Sequence, residues 1–205
     1  MEKGWKQTWK NLLFQHFEIK DKSFLDKYLP KDCELDSFEG KYYIGLVSMQ
    51  MTNVRHKSTK DFVWFKKYNE LNVRTYITYK NKPGVLFLSL DVDSLVSFFG
   101  ARVFYGLPYR YRNYKIVKHS VETFHNSKHI FKCDYTIDDD FKTYEEGSFA
   151  SWSTKRYFFA NKYLGFSFMG NITHQPWSLT TARVNQQNLD LLKPYHDWHK
   201  KLVTT

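Results

Sequence analysis

Cysteine is almost missing from this 205-residue chain: only Cys33 and Cys133 occur, far apart and without CxxC spacing. That excludes a disulfide framework and a thiolate zinc site, and makes a reducing cytoplasm the expected compartment. Five prolines and nine glycines, scattered rather than clustered, leave no linker, low-complexity tract or repeat. A single unit over residues 1–205 is therefore expected. No run approaches the roughly 20 apolar residues that cross a bilayer as a helix. The opening MEKGWKQTWKNLLFQHF mixes charges into its apolar residues, unlike the core of a secretion signal, so Asn171-Ile172-Thr173 reads as a chance match to a glycosylation sequon. HExxH, GxSxG and glycine-rich phosphate loops are all missing, so nothing points to a zinc hydrolase, a serine triad or a nucleotide cofactor. Neither a cofactor nor a metal is expected.

Acids are in deficit: 21 Asp and Glu face 31 Lys and Arg, a net charge of +10. Such a balance invites a nucleic-acid or anionic-surface partner. Aromatics are abundant, with 18 Phe, 15 Tyr and 6 Trp making up 19% of the chain, and apolar residues reach 42%. Disorder is excluded by that content, and a chain of this size buries about 70% of its unfolded surface.

Strand signals dominate. Segments 42–51, 72–79 and 85–92 carry β-branched and aromatic residues, with Asn81-Lys82-Pro83-Gly84 as the turn of a hairpin. Segments 109–118, 120–125 and 129–137 read as further strands with a turn at Asn126-Ser127-Lys128, and the last third holds YFFANKY, FSFMGNITH and SLTTARV. The N-terminal stretch is ambiguous: Trp5, Trp9, Leu12 and His16 recur at helical spacing, yet LLFQHFEI also suits a buried strand. Helices are expected after an N-cap at Ser23, ending near Pro30, and over 94–104. The fold class is α+β, mainly antiparallel β, as a barrel or curled sheet with flanking helices.

Period-two geometry places Glu70, Asn72, Arg74 and Tyr76 on one face of a strand. If that face lines a pocket, Arg74 offers a planar fork suited to a carboxylate, and Glu70 is a general base or holds Arg74 in place. The plain alternative is a solvent-facing polar side. Arg102 to Arg112 interleaves arginines with aromatics, as single-stranded nucleic-acid grooves do, but no RNP, KH or zinc-finger pattern accompanies it. His174 precedes Gln175-Pro176-Trp177, a rigid corner that would fix its ring, whereas His196 and His199 lie close to the C-terminus. The acidic stretch from Asp138 to Glu146 lacks calcium-loop spacing and reads as a solvated loop.

Taken in order, Trp9…Leu12-Leu13-Phe14…His16, Leu35-Asp36-Ser37-Phe38-Glu39-Gly40, Glu70-Leu71-Asn72-Val73-Arg74-Thr75-Tyr76, Lys82-Pro83-Gly84-Val85, Gly106-Leu107-Pro108-Tyr109, Arg156-Tyr157 and His174…Pro176-Trp177 resemble the YqjF-like (DUF2071) family of uncharacterised bacterial proteins, from about residue 5 to 185. The resemblance implies an acetoacetate-decarboxylase-like, cone-shaped β-barrel with flanking helices. Acetoacetate decarboxylases carry Gly-x-Pro-Lys-Lys, whose first lysine forms a Schiff base and whose second lowers its pKa. Here the matching stretch is Gly106-Leu107-Pro108-Tyr109-Arg110. A phenol forms no imine and a guanidinium has no lone pair to offer, so Schiff-base decarboxylation at this position is excluded. Upstream, Glu70 resembles the decarboxylases' active-site glutamate.

Two functional expectations follow. The first is a protein that binds, or an enzyme that acts on, a small organic acid or carbonyl compound. In it Glu70 and Tyr109 are the catalytic pair, and Asn72, Arg74, Tyr76, Arg110 and His174 are ligand-binding. The second is a non-enzymatic interaction protein whose basic face takes nucleic acid or another acidic partner; nucleic acid ranks below the small molecule, and no membrane role is expected. Exposed sheet edges are compatible with a homodimer.

Overall fold

The computed structural model describes residues 4–59, 62–95, 106–195 and 198–204. The helix expected over 94–104 falls mostly outside them, as does His196. A nine-stranded sheet comprises β1 (Trp5–Ile19), β2 (Cys33–Leu35), β3 (Tyr42–His56), β4 (Phe65–Tyr79), β5 (Lys82–Val92), β6 (Tyr109–Tyr111), β10 (Phe158–Tyr163), β11 (Phe166–Asn171) and β13 (Trp198–Thr204). It runs in the order β11-β10-β5-β4-β3-β1-β13, with β2 pairing β4 and β6 pairing β5. A four-stranded sheet in the order β12-β9-β8-β7 comprises β7 (Asn113–Val117), β8 (Ser120–His125), β9 (Lys128–Ile137) and β12 (Ala182–Asn188). The architecture is mainly antiparallel β with few helices, as expected, although neither sheet closes into a barrel among the described residues.

The ambiguous N-terminus is a strand throughout. Its helix-like spacing has a local cause: Asn11 sits at φ 52°, and the register against β3 shifts between Lys10 and Leu13. This bulge adds one residue to β1 and resets the pleat. Trp9 before it and Phe14 after it, an odd number of positions apart, thus both join the cluster on one side of the sheet.

Two-residue turns with both central residues at positive φ close β4 to β5 at Lys80 and Asn81, and β8 to β9 at Asn126 and Ser127. These dihedrals match the twist of the flanking strands. The first turn lies ahead of its expected place, because Lys82, Pro83 and Gly84 already pair within β5. Segment 109–118 is two strands, β6 and β7, in different sheets. The first helix is a 3-10 turn over Ser23–Tyr28 with Lys22 at its N-cap position. Ser23 donates its N–H and hydroxyl to Asp21, each at 2.8 Å, so Asp21 orders this turn.

Strand β4 is buried on both sides. Its odd positions Leu71, Val73 and Ile77, fully buried, meet Leu13, Phe17, Ile44 and Leu46, and then Val121, Phe131 and Cys133 from the second sheet. Its even positions face the opposite way, under a lid assembled from distant parts of the chain. One piece is the α-helix Phe149–Thr154, whose N-cap Ser148 accepts the N–H of Ser151. Six residues rich in Ser and Thr carry little helical signal, which is why sequence patterning misses it. The other pieces are β10 and the segment 172–179.

A buried polar face under an aromatic lid

Glu70, Asn72, Arg74 and Tyr76 all lie on this covered face, at 3, 1, 9 and 0% exposure. The solvent-facing alternative is therefore overturned. Register extends the set sideways: His16 pairs Gly45, which pairs Arg74, and Phe14 pairs Val47, which pairs Asn72. His16 and Tyr76 share a buried hydrogen bond of 2.6 Å. Burial, and then the charge of Arg74, push His16 down to about 3, so its ring is neutral at ordinary pH. Gly45 makes room for this contact. A Cβ there would stand 2.9 Å from the Tyr76 hydroxyl and 3.4 Å from Cγ of Arg74.

Arg74 donates from one terminal nitrogen to the carbonyl of Ser153 at 3.3 Å, and its Nε has no partner among the described residues. Its guanidinium carbon stands 5.6 Å from the Phe14 ring centre and 5.5 Å from that of Tyr76, within cation–π range. Among the described residues no carboxylate pairs with it. The neighbouring cation is treated differently. Arg156, also buried, donates to Asp36 at 2.5 Å and to the carbonyl of Trp152 at 2.6 Å. It lies over the rings of Tyr76 and Trp152, and those rings pack 4.4 Å apart. Arg156 thus fastens the helix onto the sheet, while Arg74 keeps hydrogen-bonding capacity unspent.

Glu70 accepts the Tyr109 hydroxyl at 3.0 Å and the Asn72 amide at 3.4 Å. Burial raises its pKa to about 7 against the opposing pull of those two bonds. Burial and the adjacent carboxylate push Tyr109 well above the usual phenol range. The expected pair is thus in contact: a carboxyl group that is half-protonated near neutrality, and a phenol that stays protonated. Asn72 Oδ1 has no partner among the described residues. Among the described residues no lysine is buried, and no three His, Cys, Asp or Glu side chains group as metal ligands.

His174 stands at the rim, packed on Trp9, Tyr157 and Trp177 with ring centres 5.6, 4.8 and 5.0 Å away. The Trp177 indole donates to its Nδ1. Burial lowers its pKa, with a smaller push from Arg74.

Arg110 is not brought to this face. Tyr109 pairs Leu90 and Arg110 pairs Asp91 in a parallel register, and successive side chains on a strand point to opposite sides. Arg110 belongs with Asp91, whose pKa burial lifts to about 6 against the charges of Arg110 and Arg112. Sequence reasoning also assigned no role to His16, Gly45, Asp36, Ser153 or Trp152. Leu35-Asp36 and Arg156-Tyr157 are visible as separate motifs, but their ion pair joins residues too far apart in sequence for spacing to reveal.

This arrangement of sheets is the acetoacetate-decarboxylase fold. The enzyme of that name from Legionella pneumophila superposes with a TM-score of 0.59 at 15% identity, over 96% of this chain and 80% of its own. The enduracididine biosynthesis enzyme MppR complexed with pyruvate gives 0.56 at 10% identity, over 89% of this chain and 69% of its own. Within that fold the chain belongs to the DUF2071 family of uncharacterized conserved proteins, whose model matches residues 6–197. It is 34% identical over 183 residues to the uncharacterized protein YqjF of Bacillus subtilis, covering 86% of this chain and 75% of that one. No helix among the described residues is long and apolar enough to cross a membrane.

Proposed function

We propose that the covered face of β4 binds a small organic acid or carbonyl compound, held by Arg74 and Asn72 and reached by Glu70 and Tyr109, without covalent attachment to a lysine. The observation that carries this reading is the buried Arg74 with no carboxylate partner among the described residues and an unsatisfied Nε. A buried, unpaired guanidinium is a net cost to folding, and an incoming carboxylate offsets it through charge-assisted bonds. Asn72 Oδ1 is a second unspent group on the same face. Glu70 lies four strand positions from Arg74, about 13 Å of backbone, with Asn72 between them. Below neutral pH its carboxyl proton is available to a ligand carbonyl; above it, the carboxylate accepts. Glu70 is thus the group that would move a proton if the bound compound reacts. That a protein of this fold is known with pyruvate bound supports the same chemical class here.

Thermal unfolding across a panel of small mono- and keto-carboxylates tests the proposal. A ligand in about hundredfold excess over its Kd should raise Tm by roughly 5 °C, and Arg74→Ala should abolish the rise. A flat response across the panel, or an undiminished shift in Arg74→Ala, would overturn it.

A further inference from the structure

Far from that face, the outer ends of β1, β3 and β4 carry aromatic residues that the core does not use. Trp5, Phe62, Val63 and Trp64 are exposed by 39, 61, 37 and 50%. The rings touch one another: Trp64 stands 6.0 Å from Trp5 and 5.4 Å from Phe62, both edge to face. The tip is an ordered structure. Trp5 pairs His56, Lys57 N–H donates to the Gly4 carbonyl at 2.9 Å, and Phe62 N–H to that of Thr59 at 3.1 Å. The Trp64 indole donates to the Thr59 hydroxyl at 3.3 Å.

Among the described residues the charge on these strand ends is positive. Lys6, Lys10, Lys57, Lys66 and Lys67 are exposed and Arg55 half-exposed on the same strand ends. Between residues 4 and 17 and between 50 and 69 the sequence holds one acid, Asp61, which lies outside the described residues. Apolar rings surrounded by cations fit an anionic lipid surface, where indole and phenyl groups settle at headgroup depth and lysines reach the phosphates.

We propose that this tip is a peripheral docking element for anionic bilayers. Two other occupants fit less well. A second copy of the chain would bring the same ring of cations against itself, since a two-fold interface apposes identical patches. Single-stranded nucleic acid would stack on ring faces along a basic groove, whereas these rings meet edge to face at the ends of strands and share the patch with Val63.

Flotation of the full chain with phosphatidylcholine vesicles, and with vesicles of phosphatidylcholine and phosphatidylglycerol in equal parts, tests this. Binding to the mixed vesicles with a blue-shifted tryptophan emission is expected, at least about tenfold weaker on phosphatidylcholine alone. Phe62→Ser/Trp64→Ser should abolish the binding with Tm and far-ultraviolet dichroism unchanged, because neither side chain is buried. Lys57→Glu/Lys66→Glu should weaken it by roughly tenfold or more. Equal binding to both vesicle types, or mixed-vesicle binding that survives Phe62→Ser/Trp64→Ser, overturns the proposal. So does tip-dependent binding of an oligothymidylate or tip-dependent dimerisation without vesicle binding.

Discussion

The two faces of strand β4 are both buried, and they are buried for different reasons. Leu71, Val73 and Ile77 carry no polar side-chain atom and meet mainly apolar side chains of two sheets, with the Oε1 of Gln15 the neutral exception beside them. Glu70, Asn72, Arg74 and Tyr76 are as thoroughly covered, yet their face keeps a charged guanidinium nitrogen and an amide oxygen that have no partner among the described residues. Hydrophobic burial stabilises by roughly 25 cal/mol per Å², whereas burying a charge without a partner opposes folding. The first face therefore supports the fold, and the second is carried by it. The paired Arg156 and Asp36 sharpen the contrast: where this structure uses a buried cation to hold elements together, it supplies a carboxylate at 2.5 Å.

The largest expected effect breaks the comparison if it fails. Leu71→Ala should lower unfolding free energy by about 2–5 kcal/mol, measured by urea denaturation. Arg74→Met, its neighbour on the other face, should cost less than about 1 kcal/mol or raise stability. Comparable losses in the two variants would make Arg74 structural and remove the basis for calling its face a site.

An intermediate effect is expected at Gly45. The Cβ of Gly45→Ala would enter the space of the Tyr76 hydroxyl, and Tyr76 is fully buried and held by His16. Destabilisation of about 1–3 kcal/mol should follow, with His16 becoming easier to protonate as its hydrogen bond and packing loosen. Titration of its ring resonances by NMR reads this directly; an unchanged ring pKa and an unchanged Tm would show that the contact at Gly45 is dispensable.

The smallest effect is a pH dependence. Glu70 is raised from 4.5 to about 7 in the folded state, so between those values the native protein holds a proton that the unfolded chain has released. Stability from this group is present below about 4.5 and falls as pH rises toward 7. His16 acts oppositely: its folded pKa is depressed from 6.5 to about 3, so its contribution grows from pH 3 up to 6.5. Asp91, raised from 3.8 to about 6, declines together with Glu70, so the two outweigh His16 between 4.5 and 6, and of the three only Glu70 acts above 6.5. Glu70→Gln should therefore remove the decline in Tm between about pH 6.5 and 7. An identical pH profile in the variant would place the Glu70 proton elsewhere.

Much of the candidate site was legible because strand geometry is local. Alternation alone groups Glu70, Asn72, Arg74 and Tyr76, and the match of Gly106-Leu107-Pro108-Tyr109 to the decarboxylase motif carries Tyr109 to Glu70. Arg110 failed for an equally local reason: as Tyr109's neighbour it must face the other way, and pairing of β6 with β5 decides which of the two meets Glu70. The N-terminal ambiguity had a single source, the bulge at Asn11, because one inserted residue turns a period of two into something that resembles a helix.

By itself, then, the sequence determined the strand-rich class, the family, the absence of a Schiff-base lysine at residue 109 and the shared face of the four β4 residues. Each depends on residue identity or on spacing within a few positions. Only the tertiary structure decided that this face is covered, that Arg74 meets no carboxylate among the described residues while Arg156 does, and that the aromatic surplus is shared by the core, a lid over the candidate site and an exposed tip. Those outcomes depend on contacts such as Arg74 with Ser153 and Asp36 with Arg156, which exist only after chain segments far apart in sequence have been brought together.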